Sequence, residues 1–281
     1  MEELSDSAKL DPPSRKLLVL DLNHRTAPPI EISTVYFRAG YAPVDYVNDR
    51  NFEVRDLLER SRAIKCPSIA LQLAGSKKVQ QVLTQPGVLE KYLCDEERWG
   101  MEYTFGLAEV DEVRASWMGM WGLEEDEPDA GASDGTPVPG QLETVGVRRA
   151  REASASLVLK PQREGGGNNV YKDAIPKFLD GLAPEEWPGW IAMRLIAAPE
   201  GLGNYLVRTA DVGTGGGPVV EAVDVVSELG IFGWALFGGA GEESVKEEVA
   251  GWLLRTKEKG SDEGGVAAGF SVLDSLVLVD D

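Results

Sequence analysis

The chain has 281 residues, 43% of them hydrophobic, with 47 acidic against 28 basic side chains and a formal charge of −19. That length holds two ordinary domains or one large α/β unit with a lid, while the charge has the wrong sign for a nucleic-acid backbone or an anionic membrane surface. No run approaches the roughly 18 uninterrupted apolar residues of a bilayer-spanning helix. The start, MEELSDSAKLDPPSRK, is acidic and polar, unlike a signal peptide or an Arg-rich transit peptide. Cys66 and Cys94 alone make neither a disulfide framework nor a metal spacing, so a cytoplasmic protein is expected.

Taken in order, residues 16–22 and 32–37 predict two short strands. Residues 51–64 set Phe52, Leu57 and Leu58 at helical spacing between charged residues, an amphipathic helix. Residues 69–73 predict a strand, which Gly75 ends before a helix over 76–83; this strand–turn–helix order suits a Rossmann-like α/β unit over residues 1–84. Helices are expected around 88–92 and 110–117. Residues 124–140, EEDEPDAGASDGTPVPG, predict a solvated, disordered insertion, because so little apolar surface cannot offset the entropy of ordering. Beyond it, strands at 157–160, 191–196, 219–226 and 231–237 alternate with helices at 173–182 and 244–254. Residues 85–281 thus read as a mixed sheet with helices and a lid. The glycine-rich stretch at 211–217 lacks a lysine and a following helix and reads as a hairpin loop, as does the stretch at 238–241.

The run from Lys160 to Tyr171, KPQREGGGNNVY, carries the most chemistry. Three consecutive glycines let the backbone close over a ligand and aim several N–H groups one way, as in an anion nest. Lys160 and Arg163 add positive charge, and Glu164 offers hard oxygen to a divalent cation. Together they suggest nucleotide phosphate plus metal. The order matches neither GxxxxGK[ST] nor GxGxxG, so on these residues alone a glycine hairpin with charged flanks stays open. The single histidine, His24, reads as a surface residue, which argues against histidine acid–base chemistry.

The whole run resembles the glycine-rich lid loop of eukaryotic-type glutathione synthetases, which are ATP-grasp ligases. Val35-Tyr36-Phe37-Arg38-Ala39-Gly40-Tyr41 is similar to the substrate-binding YFRxGY segment of that family. Leu58-Glu59-Arg60-Ser61, Lys65-Cys66-Pro67 and the stretch from Gln72 to Gln81 are similar to the part that delivers a phosphate-binding lysine. Then follow, in family order, Ser227 to Gly233, Leu254-Arg255-Thr256-Lys257 and Gly264 to Gly269. The likeness covers roughly residues 31–275.

The resemblance implies an ATP-grasp-type mixed sheet with glycine-rich and alanine-rich lid loops, preceded by a Rossmann-like substrate-binding α/β unit. It implies ligation of γ-glutamylcysteine to glycine with ATP and Mg2+, through an acyl phosphate, giving glutathione, ADP and phosphate. Such chemistry calls for cations on the transferred phosphoryl group and water exclusion more than for a protein nucleophile. By resemblance Lys77, with Lys78 its neighbour and rival, and Lys160 meet ATP phosphates, as does Lys257. Glu164 ligates Mg2+, and Gly165, Gly166 and Gly167 cover the γ-phosphate. Pro161, Gln162 and Arg163 belong to the same loop, and Asn168, Asn169 and Tyr171 complete the nucleotide site. Met193, Arg194, Leu195 and Ile196 form the adenine hinge, and Glu228 takes the ribose hydroxyls. Glu263, beside Asp262, stands where the family has an aspartate.

On the substrate side, Arg38, Ala39, Gly40 and Tyr41 hold γ-glutamylcysteine, and Arg255 grips a carboxylate through its planar fork. Val266 and Ala267 lie in the alanine-rich loop that closes over glycine and dipeptide. Arg255, Lys257 and Gly166 are the expected catalytic residues. Arg194 and Ala39 each replace a residue that is usually acidic in the family. The upstream family segment, which supplies a further magnesium-binding carboxylate, has no counterpart in residues 1–33, so the chain is expected to be N-terminally incomplete. Losing part of a metal clamp would remove several kcal/mol of charge stabilisation. The implied partners are the small-molecule substrates and a second copy in a homodimer, with no nucleic acid and no membrane. The alternative is a truncated, catalytically incompetent family fragment that retains nucleotide or partner binding.

Overall fold

The computed structural model describes residues 2–21, 23, 26–100, 104–126, 143–162, 167–197, 201, 205–208, 219–236, 246–261, 264–266 and 269–276. The chain divides into two compact units, Met1–Leu195 and Ile196–Asp281.

The first unit opens with helix α1 (Glu2–Ser7) and an antiparallel sheet of β1 (Ala8–Asp11), β2 (Lys16–Val19) and β3 (Ile30–Ile32), in that order. β4 (Thr34–Tyr36) follows, then α2 (Asp49–Arg60) and β5 (Ile64–Cys66), which pairs parallel with β4. α2 starts where the Asn48 side chain accepts from the Asn51 N–H, satisfying one orphan donor of the first turn. Its Val54 and Leu58 pack with Leu17, Phe37 and Ala63 in a first core cluster. The helix stops at Ser61, whose backbone is extended, so the chain reaches Ile64 as strand rather than as a last helical turn.

The strand expected at 69–73 is a helix, α3 (Ile69–Ala74), followed by α4 (Lys77–Leu83). The run IALQLA has no alternation, and Ala, Leu and Gln are good helix formers. Ser68 and Ser76 each cap a helix, accepting from the N–H groups of Leu71 and Val79. Then come α5 (Val88–Leu93), α6 (Glu96–Trp99), α7 (Leu107–Ala115), β6 (Met120–Gly122) and α8 (Val145–Glu152). β7 (Leu157–Pro161), β8 (Val170–Tyr171), α9 (Ala174–Gly181) and β9 (Trp190–Arg194) complete the unit. Strands order as β6-β9-β7-β8, all antiparallel. Leu157 and Leu159 join Trp121, Leu123, Val147, Ala150, Ile175, Leu179 and Ala192 in the main core. Val158 and Ile191 are also buried, so the sheet is covered on both faces, with α4 lying against β6 and β9.

One close approach fixes α8. A Cβ on Gly146 would lie 2.3 Å from the Gly122 carbonyl oxygen, and the Trp121 indole donates to the Gly146 carbonyl at 3.0 Å. Only glycine lets helix and strand backbones meet there.

The second unit is built from strands. β10 (Tyr205–Arg208) and β11 (Val219–Ala222) pair antiparallel, and β12 (Val225–Leu236), β13 (Lys246–Glu258) and β14 (Ser271–Asp274) form a second antiparallel sheet in that order. The helix expected at 244–254 is therefore the first part of a strand, β13. Its Glu, Lys and Leu content favours a helix locally, but pairing along β12 overrides that preference, and Gly251 at φ 145° cannot continue a helix. The register shifts at Phe232/Gly233, where Phe232 faces Gly251 and Gly233 faces Val249, so Ala250 is an extra residue on β13. The apolar run at 219–226 is interrupted after Ala222 and resumes as β12. The glycine-rich stretches at 211–217 and 238–241 lie outside the described residues, between strands that pair antiparallel. His24 and residues 127–140 of the acidic run also lie outside them. Among the described residues no helix is long and apolar enough to cross a membrane.

Candidate functional site

The glycine-rich run begins at the end of β7. Leu157 and Leu159 point into the main core, so by strand alternation Val158 and Lys160 share the other side. There the start of α4 meets the strand end: the Lys78 backbone N–H donates to Gln162 Oε1 at 2.9 Å. The two neighbouring lysines are treated differently. Lys78 Nζ forms an ion pair with the Glu124 carboxylate, whereas Lys77 Nζ donates to Gln80 Oε1 at 3.1 Å. One turn on, Gln81 Nε2 donates to Glu125 Oε1 at 2.7 Å, and the same oxygen accepts from the Gly122 N–H. The helix that carries Lys77 is thus pinned to the end of β6 by two carboxylates.

Past the loop, Gly167 takes φ 81° and Asn169 donates to the Tyr171 hydroxyl at 3.1 Å, while Asn168 is exposed. Arg163, Glu164, Gly165 and Gly166 lie outside the described residues. Among those described, no group of three or more His, Cys, Asp or Glu gathers as a metal site. At the proposed hinge Met193 pairs with Met120 on one side and Val158 on the other. The N–H of Arg194 donates to Gly119 O and that of Leu195 to Ser156 O, both at 2.9 Å, so neither is directed outward. Ile196, exposed, begins the second unit.

The second set surrounds Gly40, between β4 and α2. Arg38 and Ala39 are exposed, Gly40 is buried at φ 85°, and the Tyr41 hydroxyl donates back to Phe37 O at 2.8 Å. The main chain of this segment is tied down while its arginine stays open to solvent.

The third set lies in the second unit. Glu228 on β12 stands opposite Arg255 on β13, and Arg255 Nη2 meets Glu228 Oε2 at 2.5 Å. Lys257, two residues on, shares their face of the sheet. Its Nζ donates to Ser261 O at 2.6 Å. Thr256 faces the other way, buried, sharing hydrogen bonds with Ser227 and Asp274. Val266 sits in a turn closed by Gly269 N–H to Val266 O and Phe270 N–H to Gly265 O. Ser271 Oγ ties Gly264 to β14 and pairs in register with Lys257, which brings this turn beside that lysine. Glu263 and Ala267 lie outside the described residues.

The model of the family described as "Eukaryotic glutathione synthase, ATP binding domain" matches residues 9–278. The chain belongs to this family. Glutathione synthetase of Dictyostelium discoideum is 36% identical over 280 residues, covering 99% of this chain and 50% of that protein. The Mus musculus glutathione synthetase is 38% identical over 275 residues, covering 98% and 49%. A Schizosaccharomyces pombe protein named glutathione synthetase large chain is 38% identical over 248 residues, covering 88% and 43%. The chain spans about half the length of these curated relatives. Among solved structures, a glutathione synthetase-like effector from Globodera pallida, in its apo form, superposes with TM-score 0.55 at 20% identity, covering 99% of this chain and 47% of that one. This last likeness concerns the fold alone.

In this glutathione synthase family member, two groups near the candidate sites escaped the sequence reading. Glu124 and Glu125 lay hidden at the head of an acidic run that reads as solvated, yet they directly follow Leu123, a core residue, and both bind α4. Arg55 lies in a stretch that reads as helix and Gln72 in one that reads as strand, with nothing local to mark the two as partners of each other. The one available hint for Arg55 was its position on the same helix face as Leu58, which is apolar and buried.

Proposed function

We propose that this chain carries out, or contributes the nucleotide-binding part of, ATP-dependent ligation of γ-glutamylcysteine to glycine. In that reaction the dipeptide's carboxylate oxygen attacks the γ-phosphorus of ATP, the bond to ADP breaks, and an acyl phosphate forms. The glycine nitrogen then attacks the acyl carbon, phosphate leaves, and the amine proton passes to solvent. Lys77, Lys160 and Lys257 hold the phosphate oxygens, where charge-assisted bonds are strongest. Gly165, Gly166 and Gly167 cover the γ-phosphate with Arg163 beside them, while Pro161 and Gln162 lead the chain into the flap. Asn168, Asn169 and Tyr171 close the far side. Adenine lies at residues 193–196, and since the N–H groups of Arg194 and Leu195 are engaged, its contacts come from carbonyls or from Ile196. Glu228 takes the ribose hydroxyls. Arg38 and Arg255 grip substrate carboxylates, with Tyr41 beside the first and Val266 and Ala267 closing over the second. Mg2+, with Glu164 among its oxygen ligands, supplies charge neutralisation on the β- and γ-phosphates when bound.

The observation that carries this reading is the docking of the Lys77 helix on Gln162, at the root of the glycine run. It puts two segments far apart in sequence, each similar to a phosphate-binding stretch of the family, at one sheet end. The parallel β4–β5 pair joined through α2 supports a Rossmann-like substrate-binding unit over 1–84 ahead of an ATP-grasp region over 85–281. We further place the protein in the cytoplasm, as a homodimer. One competing reading is a chain that binds nucleotide or a partner without turning over.

Purified full chain with ATP, Mg2+, γ-glutamylcysteine and glycine decides between them. Phosphate release that requires both the dipeptide and glycine supports the ligase, whereas nucleotide binding without release supports the competing reading. Absence of nucleotide binding overturns the ligase and the nucleotide-binding form of the competing reading.

A further inference from the structure

A half-buried network of side chains, with Arg55 buried at its centre, converges on the carbonyl of Gly40. Arg55 of α2, only 5% exposed, lays its guanidinium over the Phe37 ring, 3.8 Å from the centroid, and pairs with Glu59 at 3.0 Å. Its two outer nitrogens reach different acceptors: Nη1 donates to the Tyr46 hydroxyl and Nη2 to Gln72 Oε1, each at 3.2 Å. Both acceptors then donate to one atom. Gln72 Nε2 reaches Gly40 O at 2.7 Å, and the Tyr46 hydroxyl reaches the same oxygen at 3.2 Å.

The polarity of this relay follows from chemistry. A guanidinium only donates, so the Gln72 amide must turn its oxygen toward Arg55, which leaves its NH2 facing Gly40. The Tyr46 hydroxyl accepts from Arg55 and is likewise left with its proton for Gly40. The charge on the buried Arg55 therefore orients two neutral donors, both half-buried, onto one carbonyl. Gly40 sits at φ 85°, in a left-handed turn between Arg38 and Tyr41, and the wide backbone freedom of glycine is what a tether there restricts.

We infer that Gln72, oriented by Arg55, is a positioning residue that fixes the Gly40 turn and thereby the direction in which Arg38 and Tyr41 are presented. This rests on the reading above that the Arg38–Tyr41 segment holds γ-glutamylcysteine; the tether itself does not.

Gln72→Glu tests it. The carboxylate keeps an oxygen for Arg55, and strengthens that pair, but faces the Gly40 carbonyl with a second acceptor instead of a donor. In full chain the variant is expected to raise hydrogen–deuterium exchange of the 40–46 amides about tenfold, with the amides of α4 and β7 unchanged. The dissociation constant for γ-glutamylcysteine should rise about tenfold, while that for a non-hydrolysable ATP analogue stays put. Unchanged exchange over 40–46 overturns the inference. So does raised exchange with unchanged dipeptide affinity, provided that Arg38→Met weakens the dipeptide. If Arg38→Met leaves dipeptide affinity intact, the substrate assignment falls, and the exchange result alone decides the tether. Arg55→Met removes a buried charge from under Glu59 and risks unfolding, which is why the carboxylate variant comes first.

Discussion

Lys77 and Lys78 make a sharp comparison because they adjoin in sequence and carry the same charge. Lys77→Met removes a cation assigned to an ATP phosphate and disturbs little else, since its one described partner is Gln80 on the same helix. A lost charge-assisted hydrogen bond costs about 1.5–3 kcal/mol, which is a rise of roughly 10- to 100-fold in the dissociation constant for nucleotide. Lys78→Met instead breaks an ion pair whose side chains are 38% and 29% exposed. Solvent screening holds the pair itself to about 1 kcal/mol. The orphaned Glu124, one of whose oxygens is already buried without a partner, adds a further penalty of about 1 kcal/mol. The loss should therefore register as a lower urea midpoint, with nucleotide affinity changed by less than about threefold. Isothermal titration with an ATP analogue and urea unfolding, run on both variants, separate the two effects. If Lys78→Met abolishes nucleotide binding while Lys77→Met does not, the division of roles drawn from Glu124 is wrong.

Three further outcomes follow from the same structure. Gly146→Ala should destabilise the protein by about 2 kcal/mol in urea unfolding, because backbone oxygens at 2.3 and 2.8 Å cannot yield and outweigh the gain of about 1 kcal/mol in helix propensity; a more stable variant would refute the close approach of α8 to β6. Glu228→Gln should weaken ATP about tenfold but leave inorganic tripolyphosphate unaffected, as measured by competition, because only the former carries ribose hydroxyls. The Arg114 guanidinium, bonded to both carboxylate oxygens of Glu90, holds that carboxyl below its ordinary value of 4.5. A depressed folded value means stability present above 4.5 and lost as pH falls through the lowered value. Arg114→Met should thus be less stable than the parent at neutral pH, the gap in urea midpoint narrowing in acid to the part held by the bonds from Arg114 to Thr84 O and Gln85 O; a gap independent of pH would show that Glu90 has no part in it.

What the sequence reveals of this fold tracks how far each interaction reaches along the chain. Helices with their own caps, such as α2 and α4, and apolar strands such as β7 are legible because the signals lie within one element. The stretch over 69–73 misled because a short apolar run fits either state, and its helix-forming residues together with the Ser68 cap tip the balance to helix. β13 misled more deeply, since its residues favour a helix and the strand exists only through pairing with β12. Motif runs such as KPQREGGGNN mark a candidate site through residue type alone. The pairing of Glu124 with Lys78 and of Gln72 with Gly40 could not be seen that way, because the partners lie 46 and 32 residues apart, even though Gln72 heads a motif run. Their roles emerge only once the chain is folded.

The proposed ligase requires cations from separate segments to gather on one triphosphate. A crystal structure of the full chain soaked with Mg2+ and a non-hydrolysable ATP analogue addresses this most directly. It should show Lys77, Lys160 and Lys257 within hydrogen-bond distance of the phosphates, with residues 163–167 folded over the γ-phosphate. A nucleotide bound elsewhere, or phosphates met by none of these lysines, would contradict the account.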